Sequence, residues 1–425
     1  MTRLLSRLAI VSLAGLSAVA QSAAGQSLAN RIASASDRSV QFSYPARAGV
    51  CGDGRTYVST GGGNFYGSYS TNSSDQCVAG PVRVVADLAD RNVIALRTYV
   101  GPVNASVDAG VTNLGTVSAA EAADYLLGVA SRADGRVGRD AIFAALLADG
   151  VDAAPKLLDI ARDQARPLET RRAALSGLAW SNTTQLDKVA STLVQIATNE
   201  NDVQGVRTAA LSTLSRLDHG AGIQPLVQLA SGNITSWVGR ESMTVLARSG
   251  DPRARQFLRS TAQRTDLSDD VQATALRGLG HQYVTGQDAS LLRSIYPRLT
   301  GQRSQDAVLS SLADLGGSEN VQWLTAIVRD DKINPDARRR ALQYLSRAGA
   351  GTPTLVALYD PTPDPQVREV LISIYSRISD KAATDKLVWI AKNEQNSALK
   401  RRAISALSRS SDPEIRAALQ DIVLR

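Results

Sequence analysis

Large apolar residues recur along about the last three quarters of the chain, with a period of roughly 33 residues. Aligning the repeats on Leu211 gives a set of equivalent positions, which we call the zero column: Phe143, Leu175, Leu211, Met243, Leu276, Leu309, Leu342, Ile372 and Ile404. A second large residue stands three positions later in each repeat: Leu146, Leu178, Leu214, Leu246, Leu279, Leu312, Leu345, Tyr375 and Leu407. This spacing indicates the buried face of a helix.

Each of these helices is followed by a second apolar segment, such as Leu193 with Ile196. Helix-breaking and capping residues separate the segments, as at positions 250–252 and 411–413. A helix pair with this period cannot bury its apolar face alone, so neighbouring pairs must stack on each other. The pattern therefore predicts a mainly α-helical solenoid of about nine helix pairs over residues 118–425.

Residues 27–116 do not follow the repeat. Apolar and polar residues alternate over 40–44, which is typical of a half-buried strand. Residues 82–88 and 93–100 indicate a hairpin that turns at 89–92. We therefore expect a small β-rich domain, with a core of its own, before the solenoid.

The helical repeats resemble HEAT repeats, including the short HEAT-like repeats that are common in bacterial proteins. The resemblance is clearest from Asp364 to Arg368 and from Pro335 to Arg338, and it covers residues 118–425. Gly239 and Gln272 depart from it, because each stands where the motif has Arg. The resemblance implies a right-handed α-solenoid whose commonest role is protein–protein scaffolding.

The first residues have the features of a secretory signal. Arg3 and Arg7 precede an apolar stretch from Leu8 to Ala20, and small residues follow it. We expect a signal peptide over 1–24 and a periplasmic or secreted mature chain. No later stretch reaches the ~18 apolar residues of a membrane-spanning helix, so we expect no membrane insertion.

The two cysteines, Cys51 and Cys77, lie close together in the β-rich region. In an exported chain an isolated pair of this kind indicates one disulfide. A redox pair or a metal site is the alternative, but redox pairs usually have Cys-x-x-Cys spacing and a metal needs more ligands than two cysteines. We predict a disulfide and no metal.

Basic residues give the chain a formal charge of +7, and many of them occupy one position of the repeat. Four residues before the zero column, at what we call the −4 position, stand Arg139, Arg171, Arg207, Arg338, Arg368 and Lys400. This position borders the apolar face, so we expect a ladder of hydrogen bonds or ion pairs between repeats. Export and the absence of a groove-reading helix argue against nucleic acid as the partner.

The −3 and +1 positions lie opposite the apolar face. The resemblance implies that they line the concave face of the solenoid, where they form a polar surface with scattered arginines. The candidate binding residues at these positions are Arg172, Arg240, Arg277, Arg339, Gln343 and Arg401. An ordinary solvated face is the alternative interpretation.

Motifs for catalysis are absent from the sequence. It has two histidines, His219 and His281, and no metalloprotease, nucleophile-elbow or phosphate-loop pattern. We therefore expect a non-enzymatic scaffold with no catalytic residues and no cofactor, which binds an extracytoplasmic protein. The alternatives are a binder of an anionic envelope polymer and an enzyme with an unrecognised carboxylate site. The segment 65–69, which contains three aromatic residues, is a second candidate contact region.

The cysteine pair leads to a direct prediction. In exported material, peptide mass spectrometry without reduction should show Cys51 linked to Cys77, and reduction should separate the two peptides. The bond would stabilise the fold by roughly 3–4 kcal/mol in the chain-entropy model. Two free thiols in exported protein would contradict the prediction.

Overall fold

The computed structural model describes residues 26–55, 78–102, 110–133, 135–281 and 283–409, together with 416, 419 and 420. The predicted signal peptide, the aromatic segment 65–69, Cys77 and most of the last predicted helix lie outside the described residues, so the Cys51–Cys77 bond stays a prediction. The chain is mostly helical and has a small sheet near its N-terminal end. It forms two compact units that divide between Gly222 and Ile223. The predicted domain limits, 27–116 and 118–425, remain predictions.

The first unit contains the sheet and helices α1 to α7. The strands are β1 Ser39–Tyr44, β2 Cys51–Gly52, β3 Val78–Ala79, β4 Val82–Ala89, β5 Asn92–Val100 and β6 Val111–Thr116. The helices are α1 Leu28–Ala33, α2 Ala119–Ala130, α3 Gly135–Leu146, α4 Ala154–Arg162, α5 Leu168–Leu178, α6 Leu186–Thr198 and α7 Gln204–Leu214.

The second unit is built of helices throughout its described residues. They are α8 Ile223–Gly232, α9 Trp237–Ala247, α10 Pro252–Ala262, α11 Asp269–Leu279, α12 Gly286–Ile295, α13 Gln302–Leu315, α14 Ser318–Arg329, α15 Pro335–Arg347, α16 Thr352–Val356, α17 Pro365–Tyr375, α18 Lys381–Asn393 and α19 Ser397–Leu407.

The zero column falls on the odd-numbered helices from α3 to α19, which we call the first helices. Within each unit the first helices pack side by side in sequence order, and even-numbered helices pack against them. Every zero-column residue is buried except Ile404, which is half-buried, and every residue at +3 is buried. The predicted helix register is therefore confirmed.

The sheet has the strand order β5-β4-β1-β6, in which β1 is antiparallel to β4 and parallel to β6. The predicted hairpin is present as β4 and β5, with Ala89 opposite Asn92. Asp90 and Arg91 between them both have positive φ, as a two-residue type I′ turn requires. Strand β6 and the short pair β2–β3 were not predicted.

The sheet does not have a core of its own, contrary to our expectation. The Tyr44 hydroxyl is fully buried and donates to the Ala144 carbonyl of α3 at 2.6 Å. The Phe42 ring packs edge-on against Tyr125 of α2, 6.1 Å between centroids. Because β1 points its large side chains at α2 and α3, the sheet shares one apolar core with these two helices.

A hydrogen bond from the −4 side chain joins each of several first helices to the helix before it. The Nε atoms of Arg171, Arg207 and Arg338 donate to the carbonyls of Ala161, Ala197 and Val328, at 2.9, 3.0 and 3.0 Å. In each case the acceptor lies ten residues earlier, near the C-terminal end of the preceding helix. Such carbonyls lack partners within their own helix. This carbonyl ladder confirms the predicted inter-repeat hydrogen bonds at these positions.

The two departures from the Arg motif have different explanations. Gln272 keeps the ladder contact, since its Nε2 donates to the Ala262 carbonyl at 3.1 Å. Gly239 makes no such bond, and a Cβ atom there would lie 2.0 Å from the Asn233 carbonyl oxygen. The tight turn before α9 therefore requires glycine at this position.

Arg171 also forms a buried ion pair. Its Nη1 donates to the Asp202 carboxylate at 2.7 Å, and the two side chains are 3% and 4% exposed. The hydrogen bond from Arg171 is the main cause that lowers the pKa of Asp202, and it outweighs the effect of burial. One side chain thus fixes the end of α4, helix α5 and the turn before α7.

The second unit has a comparable cluster around Asp288, which is fully buried. Its carboxylate accepts from Arg255 Nη2 at 2.7 Å, from Arg259 Nε at 2.6 Å and from the Thr285 hydroxyl at 2.7 Å. Burial alone would raise the pKa of Asp288, but these hydrogen bonds outweigh it and lower the pKa to about 2.

Replacement of Arg171 by Ala should destabilise the protein by about 3–5 kcal/mol, because it leaves the Asp202 carboxylate buried without its partner. Arg172→Ala is the matched control, because Arg172 is adjacent to Arg171 in the sequence but is exposed. Its replacement should change the free energy of unfolding by less than about 0.5 kcal/mol. Urea denaturation of both variants measures the difference. Equal effects of the two substitutions would contradict the ladder.

The Asp288 cluster predicts a pH dependence. The folded-state pKa lies below the unfolded value of 3.8, so this carboxylate stabilises the fold above about pH 4 and loses that contribution as pH falls towards about 2. Asp288→Asn should lose about 2 kcal/mol at neutral pH. Urea denaturation at a series of pH values should show the gap between variant and wild type narrowing under acid. A gap that does not change with pH would be inconsistent with the cluster.

Candidate functional site

An open groove of about 790 Å³, which we call the first-unit groove, is lined by helices α3, α5 and α7. Helices α5 and α7 line it with their −3 and +1 positions, and α3 lines it with residues of its apolar face. It is lined by Arg139, Ile142, Phe143, Leu146, Glu169, Arg172, Ala173, Ser176, Gly177, Trp180, Gln204, Gly205, Thr208, Ala209, Ser212 and Arg216. Its volume is within the range of about 300–1,000 Å³ that ligand sites occupy.

Small residues keep the groove open. Ala173 and Ala209 are equivalent positions on α5 and α7, two residues before the zero column, and both line the groove. The same position carries Arg340 and Arg402 in later repeats. Alanine at positions 173 and 209 leaves space above α5 and α7.

Gly177 allows two of the helices to approach each other closely. A Cβ atom at this position would lie 3.0 Å from Leu146 Cδ1 and 3.3 Å from Leu157 Cδ1. Both contacts are tighter than ordinary van der Waals distance, so a larger residue would require these leucine side chains to shift.

The floor of the groove is apolar and ends at Trp180. Ile142, Phe143 and Leu146 form its α3 side and are buried to 6% exposure or less. Trp180 lies just after α5, and its carbonyl accepts from Arg47 Nη1 at 2.7 Å. Because Arg47 follows the sheet strand β1, the sheet helps to hold this end of the groove.

The rim of the groove is more positive than negative. Arg172 is exposed and makes no hydrogen bond or ion pair with the described residues. Arg216 is exposed. Its one hydrogen bond with the described residues is from Nε to the carbonyl of Ser212, four residues earlier, at 3.3 Å. Arg139 faces Asp140 at a long 3.4 Å. Glu169 is the single acidic residue in the described part of the groove lining.

The structure separates the six predicted binding residues. Arg172 lines the first-unit groove, and the other five belong to the second unit. Arg240 donates to the Thr235 carbonyl, and Arg339 bonds to Asp336 and Gln366. The remaining three are exposed, and none has a side-chain hydrogen bond or ion pair with the described residues: Arg277, Gln343 and Arg401.

Many other arginines on the first helices of the second unit form ion pairs. Arg340 pairs with Asp306, and Arg402 pairs with Glu369. Arg402 also borders a small pocket of about 130 Å³ on α17 and α19, beside Ser373, to whose hydroxyl it donates at 3.2 Å. These side chains have partners within the protein, whereas Arg172 has none among the residues that the structure describes.

The sequence did not identify Trp180, Arg216 or Phe143 as parts of a site. Phe143 was assigned to the core from its place in the zero column, and it is buried while it also lines the groove. Trp180 and Arg216 both stand five residues after the zero column, beyond the positions that the helical wheel selects. Their shared position in the repeat is the signal that could have found them.

Groups that could support metal chemistry or membrane insertion are not found in the described part of the chain. No set of three or more His, Cys, Asp or Glu residues there is arranged to hold a metal ion. None of the described helices is both long enough and apolar enough to span a bilayer.

Comparison with known proteins gives no family for the chain. No protein-family model matches it, and no curated protein matches it. Among solved structures, it is similar to lipovitellin at 11% identity, over 79% of this chain and 40% of that one, with a TM-score of 0.45.

Two further structural matches are helical. A homology model of the full-length AP-3 complex matches at 12% identity, over 71% of this chain and 65% of that one, with a TM-score of 0.37. A structure of microtubule polymerases with tumor overexpressed gene domain arrays matches at 11% identity, over 71% of this chain and 90% of that one, with a TM-score of 0.25. At these scores the likenesses carry no argument about function.

Proposed function

We propose that the chain is an exported HEAT-like repeat protein that acts as a non-enzymatic binding scaffold and holds a protein partner in the first-unit groove. The signal-like segment 1–24 supports export to the periplasm or the cell exterior. The repeat of helix pairs and the Asp-Pro and Arg positions support the HEAT-like assignment. The observation that carries the proposal is the groove itself, which crosses three consecutive first helices.

The chemistry of the groove favours a protein over a small metabolite or a polymer. Its floor is apolar, at Phe143 and Trp180, and its rim carries hydroxyl, amide and charged groups. A combination of an apolar centre and a polar rim is typical of protein interfaces. An anionic polymer would use the arginines and would make no use of the apolar lining.

Exposed apolar side chains extend the groove at the end where α5 and α7 begin. Leu168 is 43% exposed and Val203 is 53% exposed, and each lies next to a residue of the groove lining, Glu169 or Gln204. A Cβ atom on Gly205 would lie 3.3 Å from Leu168 Cδ1, which places Leu168 directly at the groove edge. A partner in the groove would cover these side chains.

A site-specific photo-crosslinker tests the proposal. Placed at Ser176 in the groove, it should capture a protein in the native cell envelope, whereas the same group at exposed Ser191 on α6 should not. The captured protein, once identified and purified, should bind the wild-type chain at least about tenfold more tightly than Ala209→Arg. The fold should accept that change, because the equivalent positions hold Arg340 and Arg402.

Circular dichroism melts of Ala209→Arg should match those of the wild type and so separate lost binding from lost folding. Two results would contradict the proposal. One is equal capture from positions 176 and 191. The other is equal affinity of the purified partner for wild type and Ala209→Arg.

A further inference from the structure

We infer that the segment held in the first-unit groove is acidic and extended, with one bulky apolar side chain seated on the floor and a carboxylate at Arg172. This inference rests on the proposed function, and it adds the chemical class of the partner. It is carried by the unpaired arginine, the apolar floor and the width of the groove.

The positive charge of the groove rim indicates that the partner segment is negatively charged. Among the described residues, Arg139, Arg172 and Arg216 line the groove together with one acidic residue, Glu169. Asp140 partly neutralises Arg139 from outside the lining, which leaves Arg172 and Arg216 without a carboxylate partner among the described residues. An acidic segment would supply that partner, whereas a basic one would be repelled.

Some exposed arginines on the first helices of the second unit have partners, whereas Arg277 and Arg401 have none among the described residues. Arg172 differs from these two because it lines the large first-unit groove. Arg339 at the equivalent −3 position bonds to Asp336 and Gln366, and Arg340 and Arg402 have acidic partners of their own. Arg172 has an exposed guanidinium beside a large groove and no such partner in the part of the chain that the structure describes. A guanidinium matches a carboxylate with two parallel hydrogen bonds, so the site suits Asp or Glu.

The dimensions and floor of the groove select the form of the partner. Packed helices lie about 8–10 Å apart, so three adjacent helices present a width of about 16–20 Å between the outer axes. An extended chain covers that distance in about five or six residues, at about 3.3 Å per residue. The apolar lining at Ile142 and Leu146 of α3, and at Ala173 and Ala209 of α5 and α7, suits one large apolar side chain.

Selection of displayed random peptides on the full chain tests the inference. Enriched sequences should carry a net negative charge and at least one aromatic or large aliphatic residue. A synthetic peptide of this kind should bind more weakly as salt is raised from about 0.05 M to about 0.3 M. Its affinity should fall at least about tenfold for Arg172→Glu.

Two controls make the result specific. Arg401→Glu changes an equally exposed and unpaired arginine at the same −3 position of a second-unit helix, and it should leave the affinity unchanged. A peptide whose acidic residues are replaced by Lys should bind Arg172→Glu better than it binds the wild type. The fold should accept Glu at position 172, since Asp306 and Glu369 stand at equivalent positions.

The outcomes separate this inference from the proposed function. Two results would overturn the inference of an acidic segment and leave the proposal of protein binding intact. In the first, the peptides that compete with the photo-crosslinked protein are neutral or basic. In the second, the competing peptides bind Arg172→Glu as tightly as wild type. Failure to enrich any groove-dependent peptide would also overturn it. If alginate, an anionic polysaccharide, bound with dependence on Arg172 and no protein were captured at Ser176, both proposals would fail.

Discussion

The hydrogen bond from the −4 side chain to the end of the preceding helix is the contact on which the arrangement of the first helices depends. The last carbonyls of a helix have no hydrogen-bond donor within that helix. Here a long side chain from the next helix donates to one of them. Arg171, Arg207 and Arg338 do so with the same ten-residue separation, and Gln272 does so without a charge. The common element is therefore a donor of the right length, and the positive charge adds ion pairing where a carboxylate is near.

The ladder connects stability to the candidate site through adjacent residues. Arg171 points into the protein and is held by the Ala161 carbonyl and by Asp202, so α5 has a fixed rotation about its axis. That rotation directs the next residue, Arg172, outward to the rim of the groove. The groove thus has a rigid floor, and a partner would meet side chains that are already positioned.

Much of the fold could be predicted from the sequence because the apolar period was strong. The zero column, the residues at +3 and the β4–β5 hairpin follow from spacing and turn chemistry alone. The shared core of Tyr44 and α3 could not be predicted, since it depends on a contact between residues 100 positions apart. The position of the groove could not be predicted either. It depends on small residues at one repeat position, Ala173 and Ala209, and on Trp180 and Arg216, which follow the helix positions that the apolar pattern selects.

Hydrogen–deuterium exchange of the chain, alone and bound to the photo-crosslinked partner, tests the central claim most directly. The account predicts slower exchange in the segments that line the groove, around 139–146, 172–180 and 205–216, and unchanged exchange in α4 and α6, which pack on the other side of the first helices. Protection confined to α4 and α6, or to the second unit, would contradict a binding site in the first-unit groove.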